Sequence, residues 1–178
     1  MSQFETAILT VLRNEGGWSD NPADAGGQTY KGISLTQDPE FPGWGIIETA
    51  KGQPGFPQSL ADNATLQQMI VDFYRRKYWQ FDGIESQDVA TKVFDMVVNF
   101  GPTGGMTAVQ QAIKRCCSGP IVADGQYGPR TEAAINACNA QTLLRELRLT
   151  SVKRYVGIVL NEPAQEVFLE GWLERAVQ

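Results

Sequence analysis

Apolar side chains recur at intervals of three or four residues through most of this sequence, and that period is its strongest constraint on a fold. Leu66, Ile70 and Tyr74 form one such stripe, and a second runs from Val89 to Phe100 and ends at a Gly-Pro pair. This period places the apolar residues on one face of an α-helix. Helices are predicted at residues 4–14, 66–74, 89–100, 106–116, 131–138 and 143–160, with a last one opened by Pro163. The helix at 89–100 is expected to be the most buried.

The segment that follows the first helix has a different composition. Residues 15–34 are rich in Gly, Asp and Asn with short apolar interruptions, which predicts turns and a small, irregular β-hairpin. Prolines and glycines continue around Trp44, so residues 38–55 are expected to contain no helix. The fold class is therefore predicted to be mainly α, with a small β-hairpin.

The chain contains no histidine, and this excludes several kinds of active site. Ser-His-Asp hydrolases, Cys-His peptidases and histidine-containing zinc sites all need that side chain. The formal net charge of -5 argues against nucleic acid as a partner. No phosphate loop or nucleotide fingerprint is present in the sequence, so no cofactor and no metal are expected. A hydrolase built from these residues must use carboxylates.

The three cysteines are Cys116, Cys117 and Cys138. Neighbouring residues cannot form an unstrained disulfide with each other, and free cysteine is commonly buried. We therefore predict that all three are small buried apolar side chains.

The first residues show no basic leader, and no apolar run approaches the roughly 18 residues of a membrane-spanning helix. We expect a monomer that is made in the host cytoplasm without a signal peptide and has no stable membrane insertion.

Glu15 is the candidate catalytic acid. It follows the first predicted helix and precedes Gly16 and Gly17, which leave its carboxyl group unshielded. The negative end of a helix dipole, with partial burial, favours the protonated form that donates a proton to a glycosidic oxygen. Asp24 and Thr29 follow within the same glycine-rich segment, and glycoside hydrolysis requires a second carboxylate. Each of these residues is equally compatible with an ordinary turn or a solvated helix end.

A family resemblance decides between these interpretations. Residues 14–34 resemble the signature of the glycoside hydrolase family 108 muramidases, in which glutamate precedes two glycines and Gly-Gly-x-Thr-x-x-Gly-Ile follows. Four later blocks are similar to the rest of that family and its C-terminal peptidoglycan-binding region: FYRRKYW at 73–79, FDMVVNFG at 94–101, DGQYGPRTEAAI at 124–135 and FLEGWLERA at 168–176.

The resemblance implies a lysozyme-like helical fold and cleavage of the β-1,4 bond between N-acetylmuramic acid and N-acetylglucosamine. It assigns the acid to Glu15, and the similar order in phage-type lysozymes assigns Asp24 and Thr29 to positioning water. Direct attack by that water would invert the anomeric centre. The family resemblance also predicts a catalytic lobe over residues 1–92 and a peptidoglycan-binding lobe over residues 93–178, closely packed on the first.

Other residues near these blocks are candidates for substrate contact. Tyr30 and Trp44 are predicted to stack on sugar rings, against the alternative of core packing. Arg130 is predicted to pair with a carboxylate of the polymer. Tyr74 and Tyr78 follow the helical stripe and are predicted to be structural.

The expected partner is bacterial peptidoglycan, and the expected setting is a phage or prophage endolysin that acts on the cell wall in the periplasm after release. Two alternatives stay open: a non-catalytic peptidoglycan-binding protein that assists secretion, and an enzyme acting on chitin-like polymers.

Overall fold

The predicted helices are present in a computed structural model, which describes residues 2–20, 27–117 and 119–178. The mainly α fold with a small sheet is confirmed. Eight α-helices occur in these ranges: α1 (Phe4–Asn14), α2 (Trp44–Lys51), α3 (Ala64–Tyr78), α4 (Gln87–Phe100), α5 (Pro102–Cys116), α6 (Pro129–Ala137), α7 (Ala140–Asn161) and α8 (Leu169–Val177). Two 3₁₀ helices span Gln58–Asp62 and Pro163–Phe168, and three strands span β1 (Trp18–Asp20), β2 (Gln28–Tyr30) and β3 (Ile33–Ser34).

Polar side chains cap the N-termini of three helices. Asn63 Oδ1 accepts a hydrogen bond from the Leu66 amide at 2.9 Å, and Asn139 Oδ1 accepts one from the Thr142 amide at 3.0 Å. Ser86 caps α4 in the same way through the Val89 amide. Such caps satisfy amides that have no partner inside the helix and contribute about 1 kcal/mol each. The starts of α3, α4 and α7 are therefore decided locally.

The helix α2 shows that one prediction was wrong, because it lies in the stretch expected to contain no helix. Trp44 and Ile47 of α2 are buried, and the Trp44 ring meets the ring of Phe41 edge-on at 5.9 Å. Its glycines stand mainly at the ends, with Gly43 before and Gly52 after the helix. Tertiary packing of two apolar side chains outweighs the weak local preference of this short segment.

The three strands form one antiparallel sheet in the order β1-β2-β3. Trp18 pairs with Tyr30 and Ser19 with Thr29, while Thr29 also pairs with Ser34 across the β2–β3 turn. The predicted hairpin is present, and β3 adds a third strand to it. The turn between β2 and β3 consists of Lys31 and Gly32.

The chain divides into two compact units, Met1–Val11 with Gln80–Gln178, and Leu12–Trp79. The larger unit is built on α4, whose eight buried residues exceed those of any other helix in the described ranges. The smaller unit contains the sheet, α2 and α3, and buries Ile33, Ile47 and Ile70 completely. The predicted boundary between a catalytic lobe at 1–92 and a binding lobe at 93–178 stays a prediction. No helix in the described ranges has both the length and the apolar character needed to cross a membrane.

The cysteine prediction was wrong, since two of the three form a disulfide and all three are half-buried rather than buried. Cys117 and Cys138 form a disulfide with their Cα atoms 5.6 Å apart, and Cys116 is a free thiol. Cys117 follows α5 and Cys138 follows α6. The sequence excludes only the pair of neighbours, and the packing of the helices brings the second pair within bonding distance.

Replacing Cys117 and Cys138 together by serine is expected to lower the free energy of unfolding by about 3 kcal/mol, because the disulfide restricts the unfolded chain over a 21-residue separation. Urea unfolding followed by circular dichroism measures this loss. Cys116→Ser is the control and should stay within about 0.5 kcal/mol of the wild type. Equal midpoints for the double variant and the wild type would contradict the bond.

Candidate active site

Glu15 lies directly after the last residue of α1, which ends at Asn14 as predicted. Its side chain is half-buried, whereas Gly16 and Gly17 are exposed. A Cβ atom built on either glycine would meet no atom of the described chain within 4 Å. The glycines therefore leave open space beside a carboxyl group that is itself partly enclosed.

The β2–β3 turn packs directly against the Glu15 carboxyl group. A Cβ atom on Gly32 would clash with Glu15 Oε2 and stand 2.9 Å from its Cδ, so the carboxyl group would have to shift. Both turn residues adopt the left-handed conformation, with φ of 49° at Lys31 and 73° at Gly32. Glycine is required here for two reasons, since it accepts positive φ without strain and lets the carboxyl group approach the backbone.

Tyr74 of α3 holds this turn in place. Its hydroxyl group donates a hydrogen bond to the Lys31 carbonyl at 2.7 Å, and the side chain is 1% exposed. The same hydroxyl oxygen would be 2.7 Å from a Cβ on Gly32. The carboxyl of Glu15 and the hydroxyl of Tyr74 thus converge on one glycine, and α3 fixes the surface against which the acid lies.

Tyr78 lies one helical turn after Tyr74, and the two ring centroids are 5.7 Å apart. Burial raises the pKa of the Tyr78 hydroxyl; Lys77 opposes this effect, and the negative charges of Asp38 and Glu15 reinforce it. Lys77 in turn pairs with Asp38. The Tyr78 hydroxyl group therefore stays protonated at neutral pH.

Of the other two predicted catalytic residues, Asp24 and Thr29, the structure describes only Thr29. Asp24 falls in residues 21–26, outside the described residues. Thr29 is half-buried in the middle of β2, on the sheet face that it shares with Ser19 and Ser34. Gly32, three positions further along the chain, lies against the Glu15 carboxyl. The catalytic roles of Asp24 and Thr29 stay predictions.

Both aromatic side chains predicted to bind sugar are buried. Tyr30 is 3% exposed and its hydroxyl accepts a hydrogen bond from Gln67 at 3.1 Å, while burial raises its pKa. Trp44 is 6% exposed and its indole N–H donates to the Asp38 carbonyl at 2.8 Å. These positions make both rings part of the core of the smaller unit. Their contact with sugar stays a prediction.

Arg130, the third predicted substrate contact, belongs to the larger unit. It lies in the first turn of α6 and its side chain is exposed. Its contact with a polymer carboxylate stays a prediction. The described residues contain no group of three or more His, Cys, Asp or Glu side chains arranged to hold a metal ion.

Sequence reasoning missed the positions of Gly32 and Tyr74 at the turn that lies against Glu15. Gly32 is the last glycine of the Gly-Gly-x-Thr-x-x-Gly-Ile motif, so a signal for it was present, but the motif alone does not say which side chain it faces. Tyr74 and Tyr78 were predicted to be structural because they continue an apolar stripe. Their spacing of four residues, which puts two hydroxyl groups on one face of α3, was the available signal.

Replacing Gly32 by alanine is expected to lower the turnover rate of the hydrolase reaction proposed below by about a hundredfold, because displacing a reacting group by 1 Å can cost that much. The new methyl group would push the Glu15 carboxyl out of its position. Initial rates on purified peptidoglycan measure the effect, with circular dichroism to confirm folding. Gly45→Ala, at a site with open space on α2, is the control and should keep the wild-type rate. A Gly32→Ala rate within threefold of wild type would contradict this placement.

Two family sequence models match successive parts of this chain, and one solved structure is similar to nearly all of it. The sequence model described as Glycosyl hydrolase 108 matches residues 8–101, and the one described as Predicted Peptidoglycan domain matches residues 105–177. The solved structure titled "Structure of Brucella abortus SagA" is similar with a TM-score of 0.65 and 23% sequence identity, over 97% of this chain and 88% of that one. At this identity the likeness shows the fold. A search of curated proteins found no match.

Proposed function

Because the chain belongs to the glycosyl hydrolase 108 family, we propose that it is an N-acetylmuramidase that cleaves the β-1,4 bond between N-acetylmuramic acid and N-acetylglucosamine in peptidoglycan. The family supports a glycoside hydrolase, and the region matched at 105–177 supports peptidoglycan as the polymer. The observation that carries the proposal is the setting of Glu15. Its carboxyl group is half-buried against Gly32, and no atom of residues 2–20, 27–117 or 119–178 beyond their chain neighbours would lie within 4 Å of a Cβ on Gly16 or Gly17.

In the proposed reaction Glu15 protonates the bridging oxygen while water attacks the anomeric carbon of the muramic acid. A carboxyl group held against the β2–β3 turn suits this step, because a general acid must lie within hydrogen-bond reach of the oxygen that it protonates. Asp24, aided by Thr29, is proposed to position the water on the opposite face of the sugar.

Mass spectrometry of the soluble fragments released from purified peptidoglycan tests this proposal. After borohydride reduction, a muramidase yields fragments that end in reduced muramic acid. Fragments that end in reduced glucosamine, or free peptides, would contradict it and identify a different hydrolase. Digestion of chitin oligomers beside peptidoglycan checks the chitinase alternative, which requires equal or faster cleavage of chitin.

If water attacks directly, the product forms with inverted configuration. We expect α-anomeric muramic acid in the first moments of hydrolysis, measured by proton NMR before mutarotation. A β-anomeric first product would contradict direct attack and indicate a covalent intermediate on a second carboxylate.

We also propose that the protein acts on the bacterial cell wall as a phage or prophage endolysin, after release from the cytoplasm in which it is made. The pairing of a hydrolase region with a peptidoglycan region supports this setting. Expression in a bacterium should cause lysis only when a membrane pore former is co-expressed. Lysis that is equal without the pore former would contradict the need for release.

The region matched at 105–177 also favours one alternative, a peptidoglycan-binding protein without turnover that assists secretion. This alternative predicts firm sedimentation with purified wall and no release of soluble fragments at any enzyme concentration. The mass-spectrometric experiment therefore separates it from the muramidase.

A further inference from the structure

A second polar cluster lies in the larger unit, around the turn that joins α5 to α6. Gln110 of α5 is 1% exposed, and its amide group donates hydrogen bonds to Asp124 Oδ1 at 2.8 Å and to the Gln126 carbonyl at 2.9 Å. Its carbonyl oxygen accepts one from the Gly125 amide at 2.8 Å. One buried glutamine therefore fixes residues 124–126.

This turn forms the wall of a cleft with a volume of about 560 Å³. The residues that line it are Gln110, Pro120, Ile121, Val122, Asp124, Arg130 and Thr131, of which Gln110 and Thr131 are buried. Val122 is 71% exposed. The cleft thus combines apolar side chains with a few polar groups held in place, as ligand sites do.

Two opposite charges stand at the edge of the cleft. Hydrogen bonds from the Gln126 amide and the Gln110 side chain lower the pKa of the Asp124 carboxyl, so it is ionised at neutral pH. Within residues 2–20, 27–117 and 119–178, Arg130 forms neither an ion pair nor a hydrogen bond. A guanidinium group in this setting can bind a planar carboxylate with two parallel hydrogen bonds. The cleft therefore suits a ligand with a carboxylate, an ammonium group and small apolar groups between them.

We propose that this cleft binds the peptide stem of peptidoglycan, with Arg130 on a stem carboxylate, Asp124 on a stem ammonium group, and Ile121 and Val122 against alanine methyl groups. This proposal rests on the proposed function in taking peptidoglycan as the polymer. Among the parts of that polymer, the uncharged hydroxyl-rich glycan offers no ammonium partner for Asp124, whereas the short peptide offers every group that the cleft can bind. The cleft would therefore bind the cell wall through the peptides of peptidoglycan.

An NMR titration of the full-length protein with the soluble tetrapeptide L-alanyl-γ-D-glutamyl-diaminopimelyl-D-alanine tests the proposal. The expected result is saturable shifts at the amides of residues 121–131. Arg130→Gln should bind about tenfold more weakly, as expected for loss of a hydrogen bond between charged groups. Lys153→Gln, which removes an exposed cation of α7 in the same unit, is the matched control and should bind within twofold of wild type.

A change on the ligand side makes the test specific for Arg130. Amidation of the peptide carboxylates should weaken binding to the wild type about tenfold and add nothing to the loss already present in Arg130→Gln, because the two changes remove one interaction. Equal affinities of Arg130→Gln and wild type, absence of saturable shifts, or shifts at these amides caused by peptide-free glycan instead would overturn the proposal.

Cleavage of glycan strands is a separate readout, and it tests the proposed function independently of peptide binding. Wild-type protein that cleaves peptide-free glycan strands but shows no binding of the tetrapeptide keeps the muramidase and removes the stem site. Tetrapeptide binding that depends on Arg130, with no glycan cleavage on any substrate, removes the muramidase and leaves the stem site in a binding protein.

Discussion

Glu15→Gln is expected to lower the initial rate of peptidoglycan cleavage by a factor of about 10² to 10⁴, the usual contribution of a general acid. Glutamine keeps the size of the side chain, so it fits against Gly32 as the carboxyl group does. It cannot give a proton to the leaving oxygen. The rate is measured by the clearing of a wall suspension and, independently, by the release of reducing ends.

Binding and folding must survive in this variant for the result to concern chemistry. Sedimentation with purified wall should be equal for Glu15→Gln and wild type, and the two melting temperatures should agree. Glu40→Gln changes an exposed glutamate of the same unit in the same way and should keep the full rate. If Glu15→Gln clears the suspension as fast as wild type, Glu15 is not the acid and the proposed mechanism fails.

The largest expected effect on stability comes from a buried charge network in the larger unit. Asp95 of α4 is 3% exposed and accepts hydrogen bonds from Lys92 Nζ at 3.1 Å and from Arg175 Nε of α8 at 2.8 Å. Lys92 is also 3% exposed and donates to the Arg175 carbonyl at 2.8 Å. Burial lowers the pKa of Lys92, and Asp95 opposes that change. One carboxylate therefore balances two cations and joins α4 to α8.

Asp95→Asn is expected to lower the free energy of unfolding by about 3 to 5 kcal/mol, because it removes the carboxylate that pairs with the buried Lys92 ammonium group. Chemical denaturation followed by the fluorescence of the tryptophans, with circular dichroism in parallel, measures the loss. Glu146→Gln breaks the more exposed pair with Arg115 in the same unit and should cost about 1 kcal/mol or less.

The double variant Lys92→Met with Asp95→Asn checks that the network acts as a unit. Its loss should be smaller than the two single losses combined, because both changes disrupt the same interaction. A loss below about 1 kcal/mol for Asp95→Asn alone would contradict the burial of this network.

The helices of this protein follow from features that are local in sequence. The apolar stripe from Val89 to Phe100 and the cap at Ser86 lie within a few residues of each other, and the structure places α4 there. Gly101 and Pro102 end α4 and begin α5. Such features act through neighbouring residues, so a single sequence is enough to recognise them. The position of Glu15 after the first helix was predictable for the same reason.

The sequence by itself determined the family, the mainly helical fold and the choice of Glu15 as the candidate acid, since these depend on residue order and period. Only the tertiary structure decided that Trp44 begins a helix, that Cys117 bonds to Cys138, and that the turn held by Tyr74 lies against the Glu15 carboxyl. The last two bring together residues that are far apart in the sequence. Their contacts arise from how the elements pack, and no pattern within one element records which distant side chain will meet it.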